Sequence, residues 1–190
     1  MTVALANKEL FGGAITTYVP TTFIDISQLR EVPDNQEVYV DTNTDQSVIV
    51  ELLELAEEAA DADCASYHFK QIAEHNDASA ENQILKVVQL EDSEVPNLPK
   101  DAKKYLLVGR QTISKYNESD PNARNVVNIY LAVFRIPKIT TDIIVSYNHP
   151  VVIGPTSSSR DTQAGSVDEV ENNFKKILAS FNINDWSLFC

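Results

Sequence analysis

Hydrophobic and polar positions along the chain fall into short segments with turn signals between them. Glu9 to Val19 opens with Gly12-Gly13 and continues in β-branched and aromatic residues up to Pro20, which predicts a first strand with a bend at the glycines. Thr21 to Pro33 predicts one short helical turn, capped by Asp25 and halted by Pro33. Gln36 to Asp41 alternates as a strand, with Val38 and Val40 on one face. Past Asn43-Thr44-Asp45, the apolar residues Val48, Ile49, Leu52, Leu53 and Ala56 recur at helical spacing. Glu51, Glu54, Glu57 and Glu58 lie opposite them, so this segment predicts a helix capped by Asp45 or Ser47. A second helix is expected from about Ala59 to Glu74, ended by His75-Asn76-Asp77.

Four strand-like runs follow: Ile84 to Leu90, Tyr105 to Ser114, Asn125 to Ile136 and Asp142 to Tyr147. A polar link from Asn117 to Asn125, with Asp120-Pro121 as its turn signal, joins the middle two. These connections suit an antiparallel meander and are too short for crossover helices. Val151 to Gly165 is rich in Pro, Gly, Ser and Thr and predicts an exposed loop. Ser166 followed by Glu169 is a capping box, and Val167, Val170, Phe174, Ile177, Leu178 and Phe181 then form one stripe. Tyr18, Phe23 and Tyr39 are expected in the core. The expected architecture is α+β, an α/β/α sandwich around a mainly antiparallel sheet of about six strands.

Composition narrows the class. A chain of 190 residues, 43% hydrophobic and 23% charged, suits one domain over residues 1–190 that folds without metal or disulfide. No run approaches the roughly 20 apolar residues of a membrane helix, and the first ten residues lack the apolar run of a signal peptide. Cys64 and Cys190 are far apart and form no C-x-x-C; Cys64 is expected buried, Cys190 mobile, and both reduced. These features predict a soluble intracellular protein.

Charge adds a direction. Fifteen Lys and Arg against 28 Asp and Glu give −13, which disfavours nucleic acid and anionic membrane as partners and favours a basic protein. Eleven carboxylates lie between Glu31 and Asp63, with no Lys or Arg among them. The plain reading of that block is a solvated acidic face.

Signals for catalysis are weak. No G-x-S-x-G is present, Ser166 is better explained as a helix cap, and His68, His75 and His149 have no metal-ligand spacing. Gly12-Gly13 lacks the Lys and Ser/Thr of a phosphate loop. Asp34 and Glu37, three apart after Pro33, could serve acid/base chemistry or hold a divalent ion, but no nucleophile or Ca-loop glycine accompanies them. No cofactor or metal is expected.

NKELFGGAITTYVP at Asn7 to Pro20, FIDISQLREVPDNQEVYVD at Phe23 to Asp41 and TDQSVIVELLEL at Thr44 to Leu55 resemble the Ran guanine nucleotide release factor family. The likeness continues in Ser66 to Phe69, Ile136 to Pro150 and Asn184 to Phe189. It implies a central antiparallel sheet sandwiched by helices, as in PsbP proteins. It also implies a monomer that binds the GTP form of Ran one to one, promotes nucleotide release, holds the nucleotide-poor GTPase and serves nuclear protein import. The implied location is the nucleus, with some cytoplasm. The resemblance places Ran contact on Asp34 and Glu37, with Asn35 and Gln36 between them and Asp25 and Ser27 preceding. Two other readings stand beside it. One is a carboxylate-dependent hydrolase; the other is an acidic adaptor for basic partners or protein trafficking.

Overall fold

A computed structural model describes residues 3–115 and 118–189. The expectations for Cys190 and for Asn117 of the polar link lie outside the described residues. The described residues form ten strands and two α-helices: β1 Leu5–Leu10, β2 Ile15–Pro20, β3 Ile24–Asp25, β4 Gln36–Asp41, β5 Gln46–Glu54, α1 Cys64–His75, β6 Asn82–Gln89, β7 Lys103–Ile113, β8 Asn125–Ile136, β9 Thr141–Val152, α2 Val167–Ser180 and β10 Asn182–Ile183. The main sheet has seven strands, where about six were expected, in the order β3-β4-β5-β9-β8-β7-β6, and every pairing is antiparallel as expected. A second, three-stranded sheet runs β1-β2-β10.

Strand β8 shows how the layers assemble. Its near-continuous apolar sequence has both faces covered, so alternation gives way to burial on both sides. Tyr130, Ala132, Phe134 and Ile136 join one core with Val170, Phe174, Ile177 and Phe181 around α2 and with Leu10, Ile15 and Val19 of the small sheet. Val127, Ile129, Leu131 and Val133 point the other way, against Cys64, Ala65 and Phe69 of α1. The edge contacts Phe23–Tyr147 and Tyr147–Phe174 and the tilted pair Phe134–Phe181 lock the first core with preferred aromatic geometries. Gly109 of β7 lets the Phe69 ring approach the sheet, since a Cβ there would lie 2.4 Å from Phe69 Cζ.

Several expectations are corrected. Glu9 to Val19 is a hairpin, not one bent strand. Phe11, Gly12 and Gly13 take φ values of 50°, 65° and 93°, which reverses the chain and sets Leu10 opposite Ile15. The helix expected from Val48 is strand β5. Val48 and Val50 alternate into the core and pair with Tyr147 and Val145 of β9, so sheet pairing overrides the helical spacing of the glutamates. Asp45, at φ 56°, closes the turn from β4 instead of capping a helix. The next helix begins at Cys64, after a single 3-10 turn over Asp61–Asp63.

The capping box at Ser166 does not form. The Glu169 carboxylate accepts the Val3 amide at 2.8 Å, and Ser166 contributes its carbonyl to the amide of Val170. Val167 and Tyr18 are each 44% exposed and leave the core. The eleven carboxylates do not share one face either. Asp41 is buried and accepts the Thr22 hydroxyl, while Glu37 and Glu51 project from opposite sides of the sheet.

Candidate functional site

Carboxylates gather at the β3–β4 edge of the main sheet. Pro33 to Gln36 forms a turn closed by the Gln36 amide on the Pro33 carbonyl at 2.9 Å. Asp34 and Asn35 therefore sit at its tip, both exposed. Asn35 is anchored, because its carbonyl accepts the Leu52 amide at 2.9 Å and its side-chain amide donates to the Leu52 carbonyl at 3.1 Å. Those two bonds prolong the β4–β5 ladder by one residue and hold the tip rigid. The Asp34 carboxylate points into solvent beside this anchor.

Strand alternation divides the rest of the motif. Gln36 faces one side of the sheet and donates to Glu51 Oε1 at 2.7 Å. Glu37 faces the other side, and its carboxylate accepts the Phe11 amide at 2.6 Å. That contact explains how Phe11, which has a Cβ, is held at positive φ: the carboxylate satisfies the amide donor of a strained turn. Glu37 thus joins the β1–β2 hairpin to the main sheet. The sequence shows Gly12-Gly13 as a bend but carries no signal that Glu37 clamps it.

Asp25 lies on β3, directly opposite Tyr39 of β4. Its carboxylate accepts the Ser27 amide at 2.9 Å and the Ser27 hydroxyl at 2.7 Å, and so caps the short 3-10 turn Ile26–Gln28 as expected. Burial first, then the negative charges of Glu37 and Asp25, push the Tyr39 phenol up to about 12. The two carboxylates flank that ring on one face of the sheet. Asp25 and Glu37 therefore form an acidic corner beside Tyr39, Asp34 stands at the turn that leads into β4, Asn35 serves as a tether, Gln36 donates to Glu51 and Ser27 to Asp25. Chemically, this corner can meet cationic side chains. No group of three or more His, Cys, Asp or Glu suited to a metal occurs among the described residues.

A second titratable cluster lies at the far end of β8 and β9. Asp142, fully buried, accepts Arg135 Nε at 2.8 Å and Nη2 at 2.9 Å, shares a 2.8 Å bond with His68 Nε2, and accepts the Ala56 amide at 3.2 Å. Burial alone would raise its pKa, but these donors hold it at about 2. Arg135 also donates to the carbonyls of Ala56 and Ala59. This cluster ties the connection between β5 and α1 to the sheet. His68 is thereby a satisfied core histidine rather than a ligand.

Residues 8–150 match the family of the Ran-interacting Mog1 protein. The chain is 39% identical over 185 residues to a Ran guanine nucleotide release factor of Danio rerio, covering 96% of this chain and 99% of that one. It is 35% identical over 195 residues to a probable ran guanine nucleotide release factor of Dictyostelium discoideum, covering 100% and 98%. The crystal structure of the Saccharomyces cerevisiae Ran-binding protein Mog1p superposes with a TM-score of 0.72 at 26% identity, covering 99% of this chain and 100% of that one.

Proposed function

The chain belongs to the Ran-interacting Mog1 family, and we propose that it binds the small GTPase Ran in its GTP form, promotes release of the guanine nucleotide and acts in nuclear protein import. The observation that carries this reading is similarity over almost the whole chain to proteins named for Ran guanine nucleotide release and nuclear import. In this reading residues 1–190 are one Ran-binding domain, a monomer that pairs one to one with Ran in the nucleus and, in part, the cytoplasm. It regulates the GTPase and has no reaction of its own.

Asp34 and Glu37 carry the contact. A small GTPase holds its nucleotide with backbone amides, a Lys and Mg²⁺. A partner that prefers the distorted or empty site lowers nucleotide affinity by the same factor that nucleotide lowers its own. Asp34, at the rigid tip, pairs with a Lys or Arg of Ran beside the nucleotide site. Glu37 and Asp25 extend the negative field from the sheet face behind it. The wider charge of the chain speeds encounter and sets orientation.

The assay is release of a fluorescent guanine nucleotide from Ran, with and without this protein. Truncating or reversing one side of a close interfacial charge pair costs about 2 kcal/mol or more, roughly a 30-fold loss of affinity. Asp34→Lys should therefore abolish acceleration while leaving thermal stability unchanged. Glu37 needs a finer pair of variants, because its carboxylate also holds Phe11. Glu37→Gln keeps an acceptor for that amide and removes the charge. Glu37→Ala removes both and should cost about 1–3 kcal/mol of stability. If Asp34→Lys and Glu37→Gln both release nucleotide at the wild-type rate, the site assignment fails. Binding without faster release makes the protein an adaptor, and no binding to Ran overturns the function.

A further inference from the structure

Helix α1 packs on β6, β7 and β8 and reaches β9 through His68–Asp142 and the Cys64–Ile144 cluster. Beyond it, the same sheet face leaves Gln36 and Val40 of β4 and Ser47, Ile49, Glu51 and Leu53 of β5 only half-buried. These positions floor an open groove of about 1100 Å³, apolar at Val40, Ile49 and Leu53 with the buried Ile144 beside them. Tyr67 and Ile72 of α1 form one wall, and Ile26 of the 3-10 turn with Arg30, two residues beyond it, forms the other. The groove therefore occupies the place that a second helix beside α1 would fill in a complete outer layer.

Two features define what fits there. The first is charge. Asp45, Glu51, Glu54 and Glu58 line the groove along with Arg30 and Lys115. Asp45 and Lys115 neutralise each other at 2.8 Å, which leaves three carboxylates against Arg30. The Tyr67 hydroxyl donates to Glu58 and lowers its pKa, so that carboxylate stays ionised.

The second is the backbone. β5, which carries Ile49 and Leu53, lies between β4 and β9 and is hydrogen-bonded on both sides. An extended peptide laid on Ile49 and Leu53 would find no free edge there, and its own amides would go unsatisfied. A helix brings its backbone bonds with it.

We propose that this groove docks an amphipathic helix of a protein partner, with its apolar stripe on Ile49 and Leu53 and Lys or Arg residues against Glu54 and Glu58. Ser47 to Leu53 spans about 20 Å of strand, which matches a helix of roughly 13 residues. Gln36 and Glu51 line the groove and continue it toward the Asp34 tip, whereas Glu37 and Asp25 face the opposite side of the sheet. The groove is thus a second surface, and a protein bound to the Glu37 face leaves it open.

The probe is a synthetic amidated peptide of about 14 residues, with Leu at i, i+3, i+4, i+7 and Lys on the flanks, titrated into the isotope-labelled full chain and read by amide chemical shifts. Perturbations should centre on Ile49, Leu53 and Ser146. A peptide of the same composition without the stripe should bind about tenfold more weakly, as expected when the anchor residues lose their seats. Ile49→Lys should weaken binding about tenfold, and Glu54→Lys, at an exposed position, about threefold. Should Ile49→Lys fail to fold, the Glu54→Lys result still decides. Asp34→Lys should leave peptide binding unchanged, which separates this surface from Ran contact. Equal binding of the scrambled peptide, shifts spread over the whole acidic surface, or no shifts would each overturn the proposal.

Discussion

Replacing Asp142 by Asn should be the most damaging isosteric change in the chain outside the apolar core. The carboxylate has no exposed surface and takes two bonds from Arg135, one from His68 and one from the Ala56 amide. Asn keeps the shape but removes the buried counter-ion of the Arg135 guanidinium, which is only 2% exposed, and leaves it the more distant, half-exposed Asp61 at 3.4 Å. The carbonyls of Ala56 and Ala59 still accept from that guanidinium, so its hydrogen bonds are partly retained while its close charge compensation is lost. Breaking a buried ion pair in this way costs about 3–5 kcal/mol. That is a large share of the roughly 5–15 kcal/mol that stabilises a typical domain.

The same pair gives a pH signature. The folded pKa of about 2 lies below the unfolded value, so Asp142 contributes stability above the unfolded pKa. That contribution, about 2 kcal/mol, disappears as pH falls from about 4 to 2. Urea denaturation followed by far-ultraviolet circular dichroism at neutral pH measures the first number. A pH series from 5 to 2, comparing wild type with Asp142→Asn, isolates the second by difference. A loss below about 1 kcal/mol at neutral pH, or identical acid limbs in the two proteins, would refute this account of the cluster.

Two further outcomes follow from the packing of α1. Gly109→Ala puts a methyl 2.4 Å from Phe69 Cζ, and overpacking of about 1–3 kcal/mol should lower Tm by several degrees; an unchanged Tm would refute the close helix–sheet contact. Burial pushes the Cys64 thiol up to about 11, so in a Cys190→Ser background Cys64 should react with a thiol reagent at neutral pH only at the rate at which the protein opens, and fast labelling of folded protein would refute its burial.

Legibility in the sequence followed the range of the forces involved. Strand β8 could be read residue for residue, because a β-branched and apolar run covered on both faces has no helical alternative of similar quality. Helix α2 showed itself in its stripe, and the cap at Asp25 in its place just before Ile26. Segment Val48 to Glu54 went the other way. Its glutamates repeat at helical spacing, yet Val48 and Val50 alternate into the core, and pairing with β4 and β9 decides between the two periods. Nothing local records that pairing.

The acidic corner divides along the same line. The motif from Asp34 to Glu37 stands out in the chain as text, and strand alternation alone sends Gln36 and Glu37 to opposite faces. That Glu37 grips the Phe11 amide, 26 positions away, follows only from the hairpin folding back on the sheet. Asp142 and Arg135 are seven apart and look like ordinary surface charges in sequence, whereas β8 and β9 set them opposite each other in register and bury them. What the chain alone determined was its element-forming tendencies, its charge and the identity of its candidate residues, since these depend on neighbours within a few positions. Only the tertiary structure decided which carboxylates face solvent, which are clamped and where the sheet is left bare, because burial and strand pairing depend on residues brought together across the whole length of the chain.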